Sequence, residues 1–342
     1  MKTQDFYYNL PEELIAQKPC TERDHSRMMV VDRRSGSFEC RRFYELPEFL
    51  EQNDLLVINN SKVIPAKLSG KKSTGATIEM LLLEKTDLPM TWKVLLRPAK
   101  RVSAGTKISF DNGSWAEIRE RVSDKKWIVA FHPESDFDTF LEQCGSAPLP
   151  PYIKRKKGAT KDEQDLKRYQ TVYAKNPGSV AAPTAGLHFS KKTLDALLTR
   201  GIETAQITLH VGYGTFLPIE SEFVTDHRME RETFEISEET AERINRAQNV
   251  VAVGTTSIRT LESVSESDGT VHPGKGSTDL FIYPGYRFKA VDKVLTNFHL
   301  PASSLFMLVC AFAGKDLMFR AYEKAIQEKF RFYSYGDCML IL

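Results

Sequence analysis

The stretch DLLVINN, residues 54–60, predicts a buried β-strand that ends in two asparagines suited to a loop. Its apolar run extends from Leu55 to Ile58. Strand-like segments of the same kind recur after residue 150, at 204–211 and 250–254, and helical patterns alternate with them. This alternation indicates a layered α/β domain, and we expect DLLVINN to belong to it.

The helical patterns after residue 150 have recognisable ends. The segment 191–200 carries Leu194, Leu197 and Leu198 at helical spacing, with Ser190 as a plausible N-cap and Gly201 after it. Further helices are predicted at 237–248 and 315–329.

Between about residues 67 and 140 the pattern changes to short strand-like segments separated by turns rich in Gly, Asp, Asn and Ser. Closely spaced strands with little helix favour a small barrel or sandwich. The predicted strands are 78–83, 92–96, 107–110, 115–122 and 126–132. We therefore predict an α/β domain made of residues 1–66 and 150–342, into which residues 67–149 insert as a small β-barrel domain.

The composition narrows the class of protein. The 342 residues include 47 Lys or Arg and 45 Asp or Glu, so the net charge is only +2 and binding of nucleic acid through whole-molecule charge is excluded. The apolar segment 302–313 is shorter than the roughly 20 residues that a membrane span needs. The N-terminus lacks the features of a secretion signal, so we expect a cytoplasmic protein. Five cysteines without a C-x-x-C pair argue against structural zinc.

Four turns beside predicted strands and helices carry polar side chains that could do chemistry. In open α/β sheets, ligands bind where strands end, and amides at helix N-termini favour anionic groups. The alternative for each turn is a structural connection whose polar side chain bonds nearby backbone. The turn with Arg259 lacks the spacing of a P-loop or of G-x-G-x-x-G, so neither nucleoside triphosphates nor dinucleotides are supported. The four segments are AAPTAGLHF (181–189), HVGYGTF (210–216), VGTTSIRTLES (253–263) and LTNFHLP (295–301).

Three histidines, His188, His210 and His299, lie at junctions between strands and helices of the predicted α/β domain. We expect them to converge in a cleft, where imidazoles suit general acid and base catalysis near neutral pH. A zinc triad is the competing explanation, but separations of 22 and 89 residues match no compact metal motif.

Positive charge is concentrated in two regions. Residues 152–175 carry eight Lys or Arg against three acids, and residues 97–107 carry four, including Arg97, and no acid. Tyr152, Tyr169 and Tyr173 are interleaved with the first group and could stack on bases, which is compatible with RNA binding. A solvated basic loop is the alternative.

Taken in chain order, these and further segments resemble the S-adenosylmethionine:tRNA ribosyltransferase-isomerase family of queuosine biosynthesis. The resemblance runs from Asp5 to Asp337, and the pair AAPTAGLHF and HVGYGTF is its most specific part. The further segments are DFYYNLP (5–11), LLVINNSKVIPAKL (55–68), LLRPAKR (95–101), PLPPYI (148–153), RYQTVYA (168–174), FIYPGY (281–286) and FYSYGD (332–337).

The resemblance implies that the ribosyl part of S-adenosylmethionine is transferred to 7-aminomethyl-7-deazaguanine at the tRNA wobble position and isomerised. Adenine and methionine leave, and the product is epoxyqueuosine in tRNA. S-adenosylmethionine would then be a consumed substrate, with no tightly bound cofactor and no metal, and tRNA with the precursor base would be the partner. The oligomeric state stays open, with a monomer as one option.

The family also supplies expectations about individual residues. We expect His188, His210 and His299 to carry proton transfers. Lys62 and Lys67 stand where the family often has Arg, and Glu230 stands where a His is common, so Glu230 receives no catalytic role. The residues expected to contact substrate are Asn59, Asn60, Arg97, Tyr169, Thr184, Gly186, Gly212, Gly214, Thr255, Arg259 and Asn297.

Two other functions are weighed against this one. A non-catalytic protein that binds structured RNA would use the barrel and the basic loop, but it would not require the glycine-rich turns with their histidines. An ordinary methyltransferase would carry a glycine-rich loop after its first strand, and the sequence has none.

Overall fold

A computed structural model describes residues 1–155, 163–216 and 218–342 of the chain, with every side chain in these ranges except those of residues 163 and 216. The described residues form two large sheets and a pair of short strands. The first part of the chain contains strands β1 (Arg27–Val31), β2 (Phe38–Arg42), β3 (Asp54–Asn59) and β4 (Ser61–Val63).

The middle of the chain forms the barrel. Its elements are β5 (Lys67–Lys72), β6 (Thr77–Lys85), β7 (Thr91–Arg97), β8 (Lys107–Ser109), β9 (Trp115–Arg121), β10 (Lys126–His132), α1 (Phe137–Cys144) and β11 (Gly145–Ser146).

The remainder of the chain alternates helices and strands. Its elements are α2 (Glu163–Arg168), β12 (Asn176–Ser179), α3 (Lys191–Thr199), β13 (Glu203–Leu209), β14 (Glu232–Ile236), α4 (Glu238–Arg246), β15 (Asn249–Val253), α5 (Gly254–Val264), β16 (Gly274–Thr278), β17 (Lys293–Asn297), α6 (Ser304–Ala313), α7 (Lys315–Gln327) and β18 (Cys338–Ile341).

Strand β3, the DLLVIN segment, lies at the centre of the main sheet. It pairs in parallel with β13 on one side and with β15 on the other, and β15 pairs in parallel with β17. All six of its residues are buried, because helices α4 to α7 cover one face of the sheet while α3 and the turn 43–49 cover the other. Burial on both faces explains why the strand is continuously apolar from Leu55 to Ile58. The predicted layered α/β fold is confirmed.

Antiparallel strands extend the sheet at both ends. On one side β14 and β16 follow β13, and on the other β18 lies between β17 and β1, with β2 at the edge. The C-terminal strand β18 therefore pairs with β1, from near the start of the chain.

The barrel is a closed antiparallel sheet. Strands β5, β6, β7, β10, β9 and β8 pair in that order, and β8 pairs with β5 to close the ring. Helix α1 begins at its N-cap Asp136 and places Phe140 and Leu141 in the apolar interior of the barrel. The predicted small β-barrel is confirmed. The domain boundaries between residues 66 and 67 and between residues 149 and 150 stay a prediction.

The helix ends follow the local signals. Ser190 accepts a hydrogen bond from Thr193 N at the start of α3, and Gly201 has a left-handed φ of +74° just beyond its end. Ser237 caps α4 in the same way. Among the helices of the described residues, none is both long enough and apolar enough to span a membrane.

Candidate active site

A cavity of about 80 Å3 lies where β13, β15 and β17 end. Because parallel strands end at the same edge of a sheet, the turns that follow them meet there. Of the predicted site residues, Thr184, Thr255, Asn297 and His299 lie in its wall. The wall is formed by residues 182–185, 254–256 and 296–301 together with Tyr152, Val211, Thr215, Pro218, Ser303, Leu305, Tyr333 and Ser334.

Three polar atoms of this wall are buried and have no hydrogen-bond partner among the described residues: Thr256 Oγ1, Asn297 Oδ1 and Tyr333 Oη. Burial raises the pKa of Tyr333, so its hydroxyl keeps its proton and can donate. Buried polar atoms in folded proteins nearly always have a partner. Three such atoms around one cavity indicate that a ligand or ordered water completes the site.

The Asn297 side chain is held in one orientation by its amide nitrogen. Nδ2 lies 3.3 Å from Tyr333 O and 3.5 Å from Asp337 O, and backbone oxygens can only accept, so the amide cannot be reversed. Nδ2 also lies 3.0 Å from Nε2 of His188. The free group at the cavity is therefore Oδ1, a hydrogen-bond acceptor.

His188 lies behind Asn297 and is absent from the cavity wall. Since Nε2 accepts from Asn297, Nδ1 carries the proton and donates to Ser26 Oγ at 2.7 Å. Burial lowers the pKa of His188 to about 4, with Asp337 acting to raise it and Arg331 and Arg23 to lower it. The imidazole is thus neutral at pH 7, with both nitrogens bonded to protein.

His299 is in the cavity wall. Its backbone is held by Tyr322 Oη, which accepts from its N at 3.0 Å, and by Tyr8, whose hydroxyl donates to its carbonyl. In the ring, Nε2 lies 2.9 Å from Thr296 Oγ1. Burial lowers the pKa of His299 to about 3, so this imidazole is also neutral at pH 7.

His210 is absent from the wall, and its ring lies against Gly178, where a Cβ would come within 2.8 Å of it. Burial lowers its pKa, with Glu235 opposing the shift. In the part of the chain that the structure describes, His299 alone of the three lines this cavity, so the structure does not bring three histidines to its wall. His210 and His299 do follow the ends of β13 and β17, and His188 lies just before α3, but the directions of the three side chains differ.

Arg259 is buried on α5 and bonds to protein rather than to a ligand. Its guanidinium forms an ion pair with Glu232 and donates to Leu280 O at 3.0 Å. Glu232 in turn accepts from Gly212 N at 2.8 Å and from Thr215 Oγ1 at 3.1 Å. Because Thr215 is in the cavity wall, the ion pair positions this loop. Arg259 itself lies outside the cavity wall, so the structure shows it supporting the wall, and its predicted substrate contact stays a prediction.

Asn59 and Asn60 also bond within the protein. Asn59 Oδ1 accepts from Leu209 N at 3.1 Å, and its Nδ2 donates to Leu209 O at 2.9 Å. Asn60 bonds to Gln206 and Thr208. Both side chains therefore connect β3 to β13, and neither lies in the cavity wall, so the structure gives them a structural role and their substrate contacts stay a prediction.

Gly186, Gly212 and Gly214 lie outside the cavity wall. A Cβ at Gly186 would come 2.1 Å from Tyr173 Oη and 2.8 Å from Thr171 Cγ2, so packing against the protein explains this glycine. At Gly214 a Cβ would come 2.6 Å from Glu230 Oε2.

Gly186→Ala is expected to lower the free energy of unfolding by about 1–3 kcal/mol through overpacking against Tyr173. Urea unfolding measures the change. In a Tyr173→Phe background the nearest atom is gone, so the same substitution is expected to lower the stability less. Gly212→Ala is the matched control, because its nearest neighbour, a Glu232 oxygen, is 3.8 Å away. Equal losses at Gly186 in both backgrounds would contradict the clash.

The basic regions are only partly free for RNA. Arg155 pairs with Asp165 at 2.7 Å, and Arg168 donates to backbone carbonyls of residues 20 and 21. Tyr169 is 1% exposed and packs edge-on against Tyr335, so the prediction that it stacks on a base is wrong. Lys156, Lys157 and Lys161 lie outside the described residues. On the barrel, Arg97, Lys100 and Arg101 are exposed.

The sequence did not predict four residues that the structure places in or next to the site: Ser26, Glu232, Thr256 and Tyr333. Thr256 and Tyr333 lie inside quoted motifs, but nothing in a motif shows which hydroxyl lacks a partner in the fold. Ser26 and Glu232 act on residues 162 and 27 positions away, and no local pattern reveals such contacts.

Comparisons with known proteins agree along the whole chain. A family model described as queuosine biosynthesis protein matches residues 3–341. A protein of Syntrophus aciditrophicus named S-adenosylmethionine:tRNA ribosyltransferase-isomerase is 55% identical, and one of the same name from Clostridioides difficile is 48% identical, each matched over 100% of both chains.

A solved structure adds agreement in three dimensions. The crystal structure of S-adenosylmethionine tRNA ribosyltransferase from Thermotoga maritima is 36% identical to this chain, covers 99% of it and 100% of its own chain, and superposes with a TM-score of 0.55. Because the family match and the relatives extend over essentially the full length, the chain belongs to the family of queuosine biosynthesis proteins.

Proposed function

We propose that this protein is an S-adenosylmethionine:tRNA ribosyltransferase-isomerase. It transfers the ribosyl part of S-adenosylmethionine to 7-aminomethyl-7-deazaguanine at the tRNA wobble position and isomerises it, giving epoxyqueuosine in tRNA. The observation that carries the proposal is the convergence of Thr184, Thr255, Asn297 and His299 on one cavity, in a chain of this family. A module that only binds RNA needs no such cavity.

The chemistry requires three proton events. The sulfonium acidifies a proton on ribose C5′, and a base removes it. Adenine departs with the electrons of its bond to the ribose and takes up a proton, and the attacking amine must be neutral. The amine nitrogen gives up a proton as it bonds to the ribosyl carbon. Methionine leaves with the electrons of the bond from C5′ to sulfur, and C5′ gains in its place a bond within the rearranged epoxycyclopentane ring. S-adenosylmethionine is consumed, and we assign no tightly bound cofactor and no metal.

His299 is our candidate for moving the proton from C5′ to adenine. The neutral imidazole can accept a proton, and Thr296 occupies Nε2, so Nδ1 is the nitrogen we assign to this step. A pKa of about 3 makes it a weak base but makes the resulting imidazolium a strong acid. Return of the same proton to the departing adenine is then favourable. His188 is assigned a positioning role, because it orients Asn297.

His299→Gln is expected to lower adenine release on tRNA bearing the precursor base by at least about 100-fold, because proton transfer by a positioned group contributes roughly 10²–10⁴. The assay follows adenine and methionine together. His132→Gln is the control, since His132 stacks on Trp115 in the barrel, outside the cavity wall.

Two outcomes would contradict these assignments. Undiminished turnover in folded His299→Gln would remove His299 from the mechanism. Tight tRNA binding by the native protein with neither adenine nor methionine released would favour the binding module instead.

For the partner, we place tRNA against the exposed Arg97, Lys100 and Arg101 of the barrel, because localised basic side chains bind phosphates even on a chain of low net charge. A cytoplasmic location stays our prediction.

A further inference from the structure

We infer that the end of the cavity formed by α5 and Asn297 binds the amino-acid part of S-adenosylmethionine. The carboxylate lies at the first amides of α5 and the Thr256 hydroxyl, and the ammonium lies at Asn297 Oδ1. This inference rests on the proposed function, since it places one substrate within that site.

The N-terminus of α5 provides donors for an anionic group. The helix has 11 residues, and its N-cap Val253 supplies no side-chain hydrogen bond to the first amides. Residues 254–256, which carry these amides, lie in the cavity wall. Gly254 has φ +85°, a conformation that strongly favours glycine at this turn. Uncapped amides and the positive end of the helix dipole together favour a carboxylate.

Thr256 differs from three of the other hydroxyl residues of this helix. Ser257, Thr260 and Ser263 each donate to the carbonyl four residues earlier, at 2.8, 2.9 and 2.6 Å. Thr256 is 7% exposed, and its Oγ1 has no partner among the described residues. Its hydroxyl is therefore available to a group in the cavity, beside the uncapped amides.

Asn297 supplies the opposite kind of group. The residue is 3% exposed, its Nδ2 is fully occupied, and Oδ1 has no partner within the described part of the chain. A buried acceptor without a donor is costly, and a ligand that carries a donor relieves that cost. An α-amino acid carries an anionic acceptor and a cationic donor on the same carbon, which matches the two ends of this wall.

The charge of the wall distinguishes an amino acid from a phosphate. Among the described residues, the wall contains no Lys, Arg, Asp or Glu. A tRNA phosphate would therefore lack a counter-charge in a buried place, whereas ammonium and carboxylate compensate each other. The adenine amino group could also donate to Asn297, but adenine carries no anionic group for the first amides of α5. The experiment below distinguishes binding of the amino acid from binding of adenine at this place.

Thr256→Val keeps the shape of the side chain and removes only the hydroxyl. The dissociation constant of S-adenosylmethionine, measured by calorimetry, is expected to rise at least about 10-fold, because a hydrogen bond to a charged group contributes roughly 1.5–3 kcal/mol. Decarboxylated S-adenosylmethionine retains the nucleoside, sulfonium and amine, and its dissociation constant is expected to change less than about twofold. Thr256→Ser should bind S-adenosylmethionine nearly as the native protein does.

Thr260→Val is the matched control, since it removes a hydroxyl one turn further along the same helix that is already bonded to Thr256 O. In the native protein, S-adenosylhomocysteine is expected to bind at least about 10-fold more tightly than 5′-methylthioadenosine, which lacks the amino acid. The inference would be overturned if Thr256→Val weakened the binding of S-adenosylmethionine and of its decarboxylated form equally, or weakened neither. It would also be overturned if the native protein bound S-adenosylhomocysteine and 5′-methylthioadenosine with equal affinity. Absence of adenine release by the native protein would instead count against the proposed function.

Discussion

Arg259→Met is expected to lower the free energy of unfolding by about 3–5 kcal/mol, because it leaves the Glu232 carboxylate buried without its counter-ion. The side chains of Arg259 and Glu232 are 4% and 3% exposed. Glu232 retains bonds from Gly212 N and Thr215 Oγ1, but these do not neutralise its charge. Urea unfolding measures the loss.

A variant that removes both charges shows whether Arg259→Met loses stability through an unpaired buried charge or through lost packing. The double variant Arg259→Met, Glu232→Gln leaves no buried charge, so it is expected to be more stable than Arg259→Met alone. Arg246→Met is the surface control: Arg246 pairs with Glu242 at 3.1 Å with side chains 77% and 64% exposed, and a change within about 0.5 kcal/mol is expected. A double variant less stable than Arg259→Met would contradict the explanation by buried charge.

The same pair has a functional consequence. Because Glu232 holds the loop with Thr215 in the cavity wall, Arg259 is a positioning residue. Variants at Arg259 that stay folded at low temperature should therefore bind S-adenosylmethionine more weakly, whereas Arg246→Met should not.

The centre of the fold was predictable from sequence because its signals are local. Residues 55–58 of the strand DLLVIN are apolar without interruption, and Ser190 and Gly201 mark the ends of α3. The edges were not predictable in this way. The strand CMLI at 338–341 is four residues long, and its place between β17 and β1 depends on pairing with residues about 300 positions earlier.

The site was predictable as a set of turns but not as a set of side chains. The segments containing Thr184, Thr255 and Asn297 were identified from their place at strand ends, and the fold brings all three to one cavity. Which side chain faces that cavity depends on partners distant in sequence. Arg259 resembled a ligand-binding arginine because its partner Glu232, on strand β14, is not visible in the local sequence. His188 resembled a catalytic residue because its partner Ser26 is 162 residues away.

Acidification from pH 7 to pH 5 is expected to lower the free energy of unfolding by about 2 kcal/mol for each of His188 and His299. Burial lowers their pKa values from an ordinary 6.5 to about 4 and about 3, so below pH 6.5 the unfolded chain binds protons that the folded chain does not. The contribution of each histidine to the free energy of unfolding is thus fully present above pH 6.5. It is lost as the pH falls towards the folded-state pKa, about 4 for His188 and about 3 for His299. Urea unfolding at several pH values tests this.

His188→Gln is expected to remove about half of this dependence on pH, because one of the two buried imidazoles is gone. Ser26→Ala is the matched control: it removes the partner of Nδ1 but leaves a buried imidazole, so it should lower stability at both pH values and keep the native slope. The two variants therefore separate proton uptake from a general loss of stability. If His188→Gln and Ser26→Ala showed the same slope between pH 7 and pH 5, proton uptake by His188 would not be the cause.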